Sequence, residues 1–343
     1  MLTPKEIDFI RDELATAKKP LFLYDDDADG LGSFLLLYRL HREGKGFRVT
    51  TTSKIDNSFL KKVEEINPDK IFILDIPLVE QEFVDNVKKT IIWIDHHLPQ
   101  QVKNVHYFNP RIKDPDAYIP TTRMAYQVSG NPDDIWIAAA GCLGDWHMPD
   151  FIEEFIEKYP HLMSEKEDLA TASFKSPVGK LVKMFFFFLK GPTTEVRKSI
   201  KVLSRIKSPD EIFNQESSAG KFLYKRFVSI NSKFEEVLKE AKKVATRSKL
   251  LVFIYPTQKW SFTANLSNEL RSLYPQKVVL IARNKNGEMK CSLRGENILP
   301  ALNNALIGIR GSGGGHPNAC GVTVKEEDWD RFLKNLKREI QSS

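Results

Sequence analysis

The stretch PLFLYDDDADG, residues 20–30, decides the fold. Its apolar half, Pro20 to Tyr24, has the length and composition of a buried β-strand, and its acidic half leads to a glycine where a helix can begin. Alternate aspartates in such a turn can direct Asp25, Asp27 and Asp29 towards one pocket. Carboxylates crowded within a few Å repel each other unless hard divalent cations lie between them. The stretch therefore indicates a metal-binding turn, with a solvated turn or an isolated calcium loop as the alternatives.

Three further β-like runs follow the first at intervals of roughly 20 to 25 residues, with helical patterns between them. They are Phe47 to Thr52, Lys70 to Leu74 and Thr90 to Ile94. This rhythm is typical of βαβ units and predicts a parallel sheet. Asp75 and Asp95 come directly after the last two runs, as Asp25 follows the first. Because the carboxyl ends of parallel strands face one crevice, we expect these acids to converge.

The second chemical signal is the triplet Asp95-His96-His97 at the end of an apolar run. One imidazole can bind a metal while its neighbour meets the substrate, and Asp95 can orient an imidazole by accepting its second N–H. A purely structural histidine pair is the alternative. We assign His96 to a metal, and His97 with Asp95 to catalysis.

A two-metal site needs a bridging carboxylate, flanking acids for each ion and an imidazole that favours Mn²⁺ over Mg²⁺. Alone, Asp75 could be a helix cap and Asp145 would be unremarkable, but their placement with the other signals changes this interpretation. We predict two divalent ions, with Mn²⁺ preferred and Mg²⁺ accepted. Asp75 is assigned as the bridge, Asp25 and Asp27 to one metal, and Asp29, His96 and Asp145 to the other.

The rest of the chain predicts an α/β protein of three parts: a parallel-sheet domain over residues 1–150, a helical insertion over 151–245 and a smaller α/β domain over 246–343. The insertion is basic, with nine Lys or Arg and one acidic residue between Thr171 and Lys207. A solvated helical face, a nucleic-acid surface and a protein-docking surface are all compatible with that pattern. The apolar run Met184 to Leu189 indicates a buried helix or a patch that meets a partner.

A glycine-rich stretch, Gly311 to His316, is predicted to form a loop whose backbone N–H groups approach an anion. Gly313, Gly314, Gly315 and His316 are the candidate substrate-binding residues within it, together with Arg294 at a strand end. An ordinary surface loop is the alternative. The stretch has neither the Walker A nor the Rossmann fingerprint.

Bulk composition excludes little. The formal charge of +6 and the pI near 8.9 are compatible with polyanionic partners without requiring them. No stretch approaches the length of a membrane span, so no membrane association is expected. Three scattered cysteines without CxxC spacing indicate reduced packing residues and a cytoplasmic protein without structural zinc.

The ordered set Asp27-Ala28-Asp29-Gly30, Asp75, Asp95-His96-His97, Asp145 and Gly313-Gly314-Gly315-His316 resembles the DHH phosphoesterase superfamily, in the subfamily with a DHH-associated C-terminal domain. The resemblance implies a RecJ-like architecture in which the C-terminal domain closes over phosphates across an active-site cleft between the domains. It also implies that His97 contacts the scissile phosphate, while Arg294 and His316 hold substrate.

Two departures from the family pattern matter. Some members have a histidine four residues before the first aspartate of the DxD pair, where this chain has Leu23, so Asp25 must substitute. The helical insertion is larger than compact relatives require. It resembles the insertion of archaeal RecJ-like exonucleases that associate with a DNA-repair helicase, which implies such a protein partner.

Three functions follow as hypotheses. The first is a single-strand-specific exonuclease that trims DNA, or RNA, from the 3′ end in repair or replication. The second is a small-substrate phosphodiesterase that degrades oligoribonucleotides, cyclic dinucleotides or phosphoadenosine phosphate. The third is a binding protein on a degenerate fold, whose mark would be missing ligands, and none of the expected ligands is missing from the sequence.

Overall fold

The computed structural model of the protein describes residues 1–50, 54–244 and 247–342. The chain divides into two compact units, Met1–Lys225 and Arg226–Ser343. The three-part division predicted from the sequence stays a prediction, and its second boundary, at 245/246, lies outside the described residues.

The first unit is built on a parallel sheet. Its strands are β1 Leu21–Asp25, β2 Lys45–Val49, β3 Lys54–Ile55, β4 Lys70–Leu74, β5 Leu78–Val79, β6 Thr90–Ile94 and β7 His106–Phe108. Five of them form the main sheet in the order β2-β1-β4-β6-β7, and β3 pairs with β5 in a small parallel ribbon. The central strands are buried on both faces, which explains their nearly continuous apolar sequences.

Helices cover this sheet. They are α1 Pro4–Ala15, α2 Ala28–His41, α3 Leu60–Ile66, α4 Gln81–Val87, α5 Thr121–Ser129 and α6 Ile135–Gly144. The first turn of α2 follows β1 directly, and Oδ1 of Asp27 accepts the backbone N–H of Gly30 at 2.9 Å. This cap begins the helix inside the acidic turn, so the aspartates stay beside the carboxyl end of β1.

The α/β fold predicted from the sequence is confirmed. The strands predicted at Lys70 to Leu74 and Thr90 to Ile94 have those bounds in the structure. The strand predicted over Phe47 to Thr52 is shifted, since β2 spans Lys45–Val49 and residues 51–52 lie outside the described part of the chain. The edge strand β7 was not predicted, because three residues are too few to show an apolar alternation.

The insertion is helical throughout its described residues. It contains α7 Ile152–Lys158, α8 Leu169–Phe174, α9 Pro177–Phe188, α10 Thr193–Leu203, α11 Pro209–Phe213 and α12 Ser218–Lys243. The phenylalanine run belongs to α9, where Phe185, Phe187 and Phe188 are fully buried and Phe185 lies edge-on to Trp136 of α6 at 6.1 Å. Of the two alternatives for this run, the structure therefore has the buried helix.

The second unit has a mixed five-stranded sheet. Its strands are β8 Leu250–Ile254, β9 Val278–Lys285, β10 Glu288–Arg294, β11 Gly311–His316 and β12 Ala319–Lys325, and its further helices are α13 Thr263–Leu273, α14 Ile298–Ala305 and α15 Trp329–Ser342. The order is β11-β12-β10-β9-β8, with β8 and β9 parallel and the other pairs antiparallel.

The prediction of a glycine-rich loop at Gly311 to His316 is wrong, because this segment is the edge strand β11. A Cβ on Gly311 or Gly315 would lie 2.5 or 2.4 Å from a backbone oxygen of β12, so the glycines permit close pairing of the two strands. Glycine has a low strand propensity, so the sequence did not predict β11, which its pairing with β12 defines. Among the described residues, no helix is both long and apolar enough to cross a membrane.

Candidate metal centre

Three acids stand at the carboxyl ends of adjacent strands. Asp25 ends β1, Asp75 follows β4 and Asp95 follows β6, and these strands are neighbours in the sheet. The ladder continues past the strands, because the N–H of Asp75 donates to Ile94 O and that of Asp95 donates to Phe108 O, each at 3.0 Å. Asp25 and Asp75 converge in one cluster as predicted, whereas the side chain of Asp95 bonds His97.

The six predicted metal ligands and His97, one of the two predicted catalytic residues, form three clusters. In each cluster the ligand atoms lie within 4.8 Å of one another, and the clusters are Asp25, Asp27 and Asp75; Asp29, His96 and Asp145; and Asp75, His96 and His97. The first two match the two ligand sets assigned from the sequence. Asp75 and His96 occur in more than one cluster, and His96 Nε2 lies 3.3 Å from Asp75 Oδ1 and 3.6 Å from Asp145 Oδ2.

Burial and neighbouring charges disfavour the anionic form of three acids in these clusters, Asp27, Asp75 and Asp145. Burial, followed by repulsion from Asp29 and other nearby carboxylates, raises the pKa of Asp75 well above its ordinary value. Burial and repulsion from Asp29 also raise the pKa of Asp27, which shares a hydrogen bond with Asp75. Burial raises the pKa of Asp145 to about 8, although His96 acts in the opposite direction. Cations relieve such repulsion, and carboxylate oxygens with one imidazole suit hard or borderline divalent ions, so the residues fit the metals predicted from the sequence.

Backbone strain marks the shared acid. Asp75 has a φ of 61°, a left-handed conformation that non-glycine residues adopt rarely. Strained residues of this kind are concentrated at functional sites, where the surrounding structure holds them in place.

Asp29 has a structural contact beyond the clusters. Its Oδ2 accepts the N–H of Thr121 at 2.8 Å and its Oδ1 accepts the N–H of Thr122 at 2.7 Å. These N–H groups begin α5, for which Pro120 provides no side-chain cap. The carboxylate therefore anchors α5 beneath the site as well as lying beside His96.

Asp95 is fully buried and faces His97 instead of the clustered acids. Its Oδ1 lies 2.7 Å from His97 Nδ1, and its Oδ2 accepts hydrogen bonds of 3.3 Å from Tyr107 and Asn109. Burial opposes the charged form of His97, but the hydrogen bond to Asp95 and the charges of Asp95, Asp27 and Asp29 together raise the pKa of His97. A cationic imidazole with a fixed ring can donate to an anionic substrate.

Sequence patterns missed Tyr118, Asn109 and Trp146. The hydroxyl of Tyr118 lies 2.9 Å from Asp145 Oδ2, and its ring lies edge-on to His96 at 5.5 Å. Asn109 follows β7 as the acids follow the other strands, so an earlier recognition of that strand would have indicated it. Trp146 stands next to Asp145 in the sequence, and no pattern pointed to Tyr118.

The remaining predicted residues belong to the second unit. Arg294 and His316 are both register partners of Ala319, so their side chains leave the same face of the sheet. The Arg294 Nε donates to Asn268 Oδ1 at 2.6 Å, and burial lowers its pKa to about 10. Gly313 and Gly314 are exposed on the outer strand.

Comparison with known proteins gives two family matches. The N-terminal domain of the DHH family matches residues 21–143, and the DHHA1 domain matches residues 253–342. No curated protein matches the chain by sequence.

Solved structures share the fold. RecJ from Thermus thermophilus in complex with Mn²⁺ is 15% identical, with a TM-score of 0.72, over 100% of this chain and 56% of its own. Exonuclease RecJ bound to manganese is 15% identical, with a TM-score of 0.64, over 97% of this chain and 93% of its own. The pGpG-specific phosphodiesterase PggH from Vibrio cholerae is 15% identical, with a TM-score of 0.51, over 95% of this chain and 99% of its own. The chain thus spans little more than half the length of the Thermus protein.

Proposed function

Because this chain belongs to the DHH superfamily and has a RecJ-like fold, we propose that it is a metal-dependent hydrolase, namely a two-metal phosphodiesterase acting on single-stranded nucleic acid. Its substrate in this proposal is DNA, with RNA as a second polymer, degraded from the 3′ end in repair or replication in the cytoplasm.

One observation supports this proposal above all others. The acids and imidazoles of residues 25 to 145 meet as clusters that share Asp75 and His96 at one end of the sheet. The cluster that contains Asp75 and His96 links the other two clusters, which supports two neighbouring cation sites, and paired cations are the usual arrangement for cleaving phosphodiesters.

In this proposal Asp25, Asp27 and Asp75 hold one divalent ion, and Asp29, His96 and Asp145 hold the other with Asp75 as the bridge. Mn²⁺ is preferred and Mg²⁺ is accepted. The ions, when bound, supply Lewis-acid activation of the phosphate and of water. Tyr118 orients Asp145, and the left-handed backbone of Asp75 fixes the direction of its carboxylate.

His97 is proposed to contact the scissile phosphate. The bond between Nδ1 and Asp95 orients its ring, and we propose that Nε2 meets a substrate oxygen. The raised pKa keeps a larger fraction of His97 cationic near neutral pH, which strengthens a hydrogen bond to a phosphate.

Arg294, His316 and the backbone of Gly313, Gly314 and Gly315 are proposed to hold substrate phosphates. Arg294 and His316 leave one sheet face, and the outer edge of β11 carries backbone N–H groups.

The experiment is a time course on twenty-nucleotide strands labelled at the 5′ or the 3′ end, with Mn²⁺, in DNA and RNA versions. We expect mononucleotides to be released from the 3′ end of single strands, with duplexes resistant, and Asp75→Ala to be inactive. Release from the 5′ end would overturn the proposed polarity, and an intact strand would overturn the polymer substrate.

A small-substrate phosphodiesterase is the second candidate, and one observation favours it. The match covers 99% of the PggH structure, so this chain contains a counterpart of nearly all of an enzyme named for the dinucleotide pGpG. Cleavage of dinucleotides with twenty-nucleotide strands left intact would establish this candidate over the exonuclease.

We also propose that the insertion guides the substrate strand or binds a protein partner, for which a DNA-repair helicase is the family precedent. The exposed residues Arg197 and Lys201 lie on α10, and Arg205, also exposed, follows the end of this helix. We propose this basic face as the docking surface because the phenylalanine run is buried.

A further inference from the structure

Two exposed aromatic side chains stand at the metal centre. Trp146 follows the metal-ligand candidate Asp145 directly and is 40% exposed, and Tyr118, which bonds Asp145, is 39% exposed. Of the five tryptophans in the chain, Trp146 is the most exposed, while Trp93 and Trp136 are fully buried. Tyr and Trp present an apolar ring together with a polar group, so partly exposed rings beside a polar site are able to stack on a ligand.

The backbone of Trp146 is also unusual. Its φ is 56°, which is disfavoured for a bulky side chain. The conformation is held where α6 ends, by hydrogen bonds from Trp146 N–H to Leu143 O at 3.2 Å and from His147 N–H to Cys142 O at 3.0 Å. A tryptophan kept in a strained conformation while exposed indicates selection for the position of its ring.

Neighbouring rings support the two aromatics. Phe174 of α8 contacts the indole of Trp146 with ring centroids 5.5 Å apart. The Tyr118 ring lies 5.5 Å from the His96 ring and 6.2 Å from the His147 ring. Both rings are therefore packed against other rings while remaining partly exposed, and Trp146 directly follows a candidate metal ligand.

We propose that Trp146, assisted by Tyr118, is a stacking platform for the nucleobase next to the scissile phosphate. The proposal rests on the proposed function and names the substrate feature that the metal centre alone does not select. Every base offers a π-face, so a platform of this kind accepts any sequence while rejecting phosphoesters that carry no base. A cation held at Asp145 would then bind the phosphate, and the ring of Trp146 the base, of one nucleotide.

The test combines a protein change with a substrate change. Strands with a normal or an abasic terminal nucleotide are compared in the wild type and in Trp146→Asn, because asparagine tolerates the left-handed backbone and removes the ring. Stacking contributes a factor of about 5 to 150 per base. We expect Trp146→Asn to lower kcat/KM by about that factor on the normal strand and by less than about twofold on the abasic strand, with Trp146→Tyr retaining most of the activity.

Equal losses on both strands would overturn the proposal in favour of a structural role for Trp146, and no loss on either would show that the ring does not meet the base. A binding measurement separates this outcome from failure of the proposed function. Calorimetry of the Mn²⁺-loaded protein should show tighter binding of deoxyadenosine monophosphate than of deoxyribose 5-phosphate, and Trp146→Asn should remove the difference. If strands are not degraded but this difference is found, the platform stands and the exonuclease does not; equal affinities in the wild type would refute the platform.

Discussion

The Oδ1 of Asp29 accepts the backbone N–H of Thr122 at 2.7 Å, across 93 positions of the sequence. The Thr122 hydroxyl returns a hydrogen bond of 2.8 Å to the Asp29 carbonyl, so the first turns of α2 and α5 are joined in both directions. An acid assigned from the sequence as a metal ligand thus also stabilises the contact between α2, on which it lies, and α5.

Asp29→Asn should therefore destabilise the protein. The side-chain NH₂ of the variant, a donor, would face one of the two backbone N–H groups that the Asp29 carboxylate accepts. Loss of a buried, charge-assisted hydrogen bond costs about 1.5–3 kcal/mol. We expect a lower Tm with and without Mn²⁺, measured by calorimetry. A rise in Tm of the metal-free protein would show instead that Asp29 is chiefly a ligand whose charge is repelled by its neighbours.

Asp75→Asn should have the opposite effect on stability. Asparagine tolerates the left-handed backbone that Asp75 adopts at a φ of 61°, and it removes the charge that burial and nearby carboxylates oppose. We expect the metal-free variant to be more stable than the wild type at pH 8, and to lack phosphodiesterase activity.

Asp75→Ala provides the matched comparison. Alanine removes the same charge but, unlike asparagine, does not tolerate the left-handed backbone conformation. It should be less stable than Asp75→Asn by denaturant unfolding. If the two variants are equally stable, strain at this residue is not significant, and if either keeps its activity, Asp75 does not bridge two metals.

Much of the site could be predicted from sequence, because acids that directly follow parallel strands lie at the same edge of the sheet. Parallel strands bring their carboxyl ends together whatever lies between them, so Asp25, Asp75 and Asp95 could be grouped from apolar runs alone. The strand β11 could not be predicted from sequence, because its glycines carry no side-chain pattern. Its pairing with β12 shows that it is a strand.

Contacts between loops could not be predicted in that way. Tyr118 reaches Asp145 across 27 positions, and nothing in its local sequence records that contact. The second role of Asp29 depends on where α5 begins in space, and the exposure of Trp146 depends on the end of α6. Tertiary packing decides each of these features, and composition and periodicity carry no information about it.

The pH dependence of metal binding should follow Asp145. Its pKa is raised by burial to about 8 from an ordinary value of 3.8, so between these values the folded protein retains a proton that the unfolded chain has released. The stability of the metal-free protein should fall as pH rises through this window, because the folded state binds more protons.

Mn²⁺ must displace the same proton, so its affinity should increase by up to about tenfold per pH unit from pH 6 to 8. Calorimetric titrations at three pH values would measure this, and Asp145→Asn should flatten the pH dependence while weakening the affinity. A wild-type affinity that does not change with pH would contradict the protonated state of Asp145.

His97 should act at the phosphate, and Asp95 should act through His97. His97→Gln should lower kcat by about 100-fold or more, the usual contribution of a positioned acid or base, with Tm little changed. In Asp95→Asn, burial would lower the pKa of His97 without the opposing carboxylate, so the cation would be lost at a lower pH.

The activity of Asp95→Asn relative to the wild type should therefore fall as pH rises from 6 to 8. Parallel pH profiles of the two proteins would show that Asp95 does not act through the charge of His97. A loss of Mn²⁺ affinity in His97→Gln would place His97 among the metal ligands, in the cluster that it shares with Asp75 and His96.

The basic face of α10 continues from the acidic turn. Arg48 of β2 pairs with Asp26 at 2.9 Å and donates to the backbone oxygen of Leu189, and Arg197 of α10 lies over the ring of Phe47 at 4.7 Å. A strand bound at the metal centre could therefore extend along this helix, where Lys201 is also exposed.

Reversing Arg197, Lys201 and Arg205 to Glu should raise KM for a twenty-nucleotide strand by about tenfold or more while leaving dinucleotide hydrolysis within about twofold. Each lost phosphate contact reduces the slope of log K against log salt by about 0.7 on single strands, so the triple variant should lose about 2 units of slope. Reversal of Lys5, Lys18 and Lys19 is the matched control, because Lys18 and Lys19 lie just before β1 begins, at the opposite end of the sheet. If strand degradation is unchanged and only helicase pull-down is lost, the face binds a protein partner and not the nucleic acid.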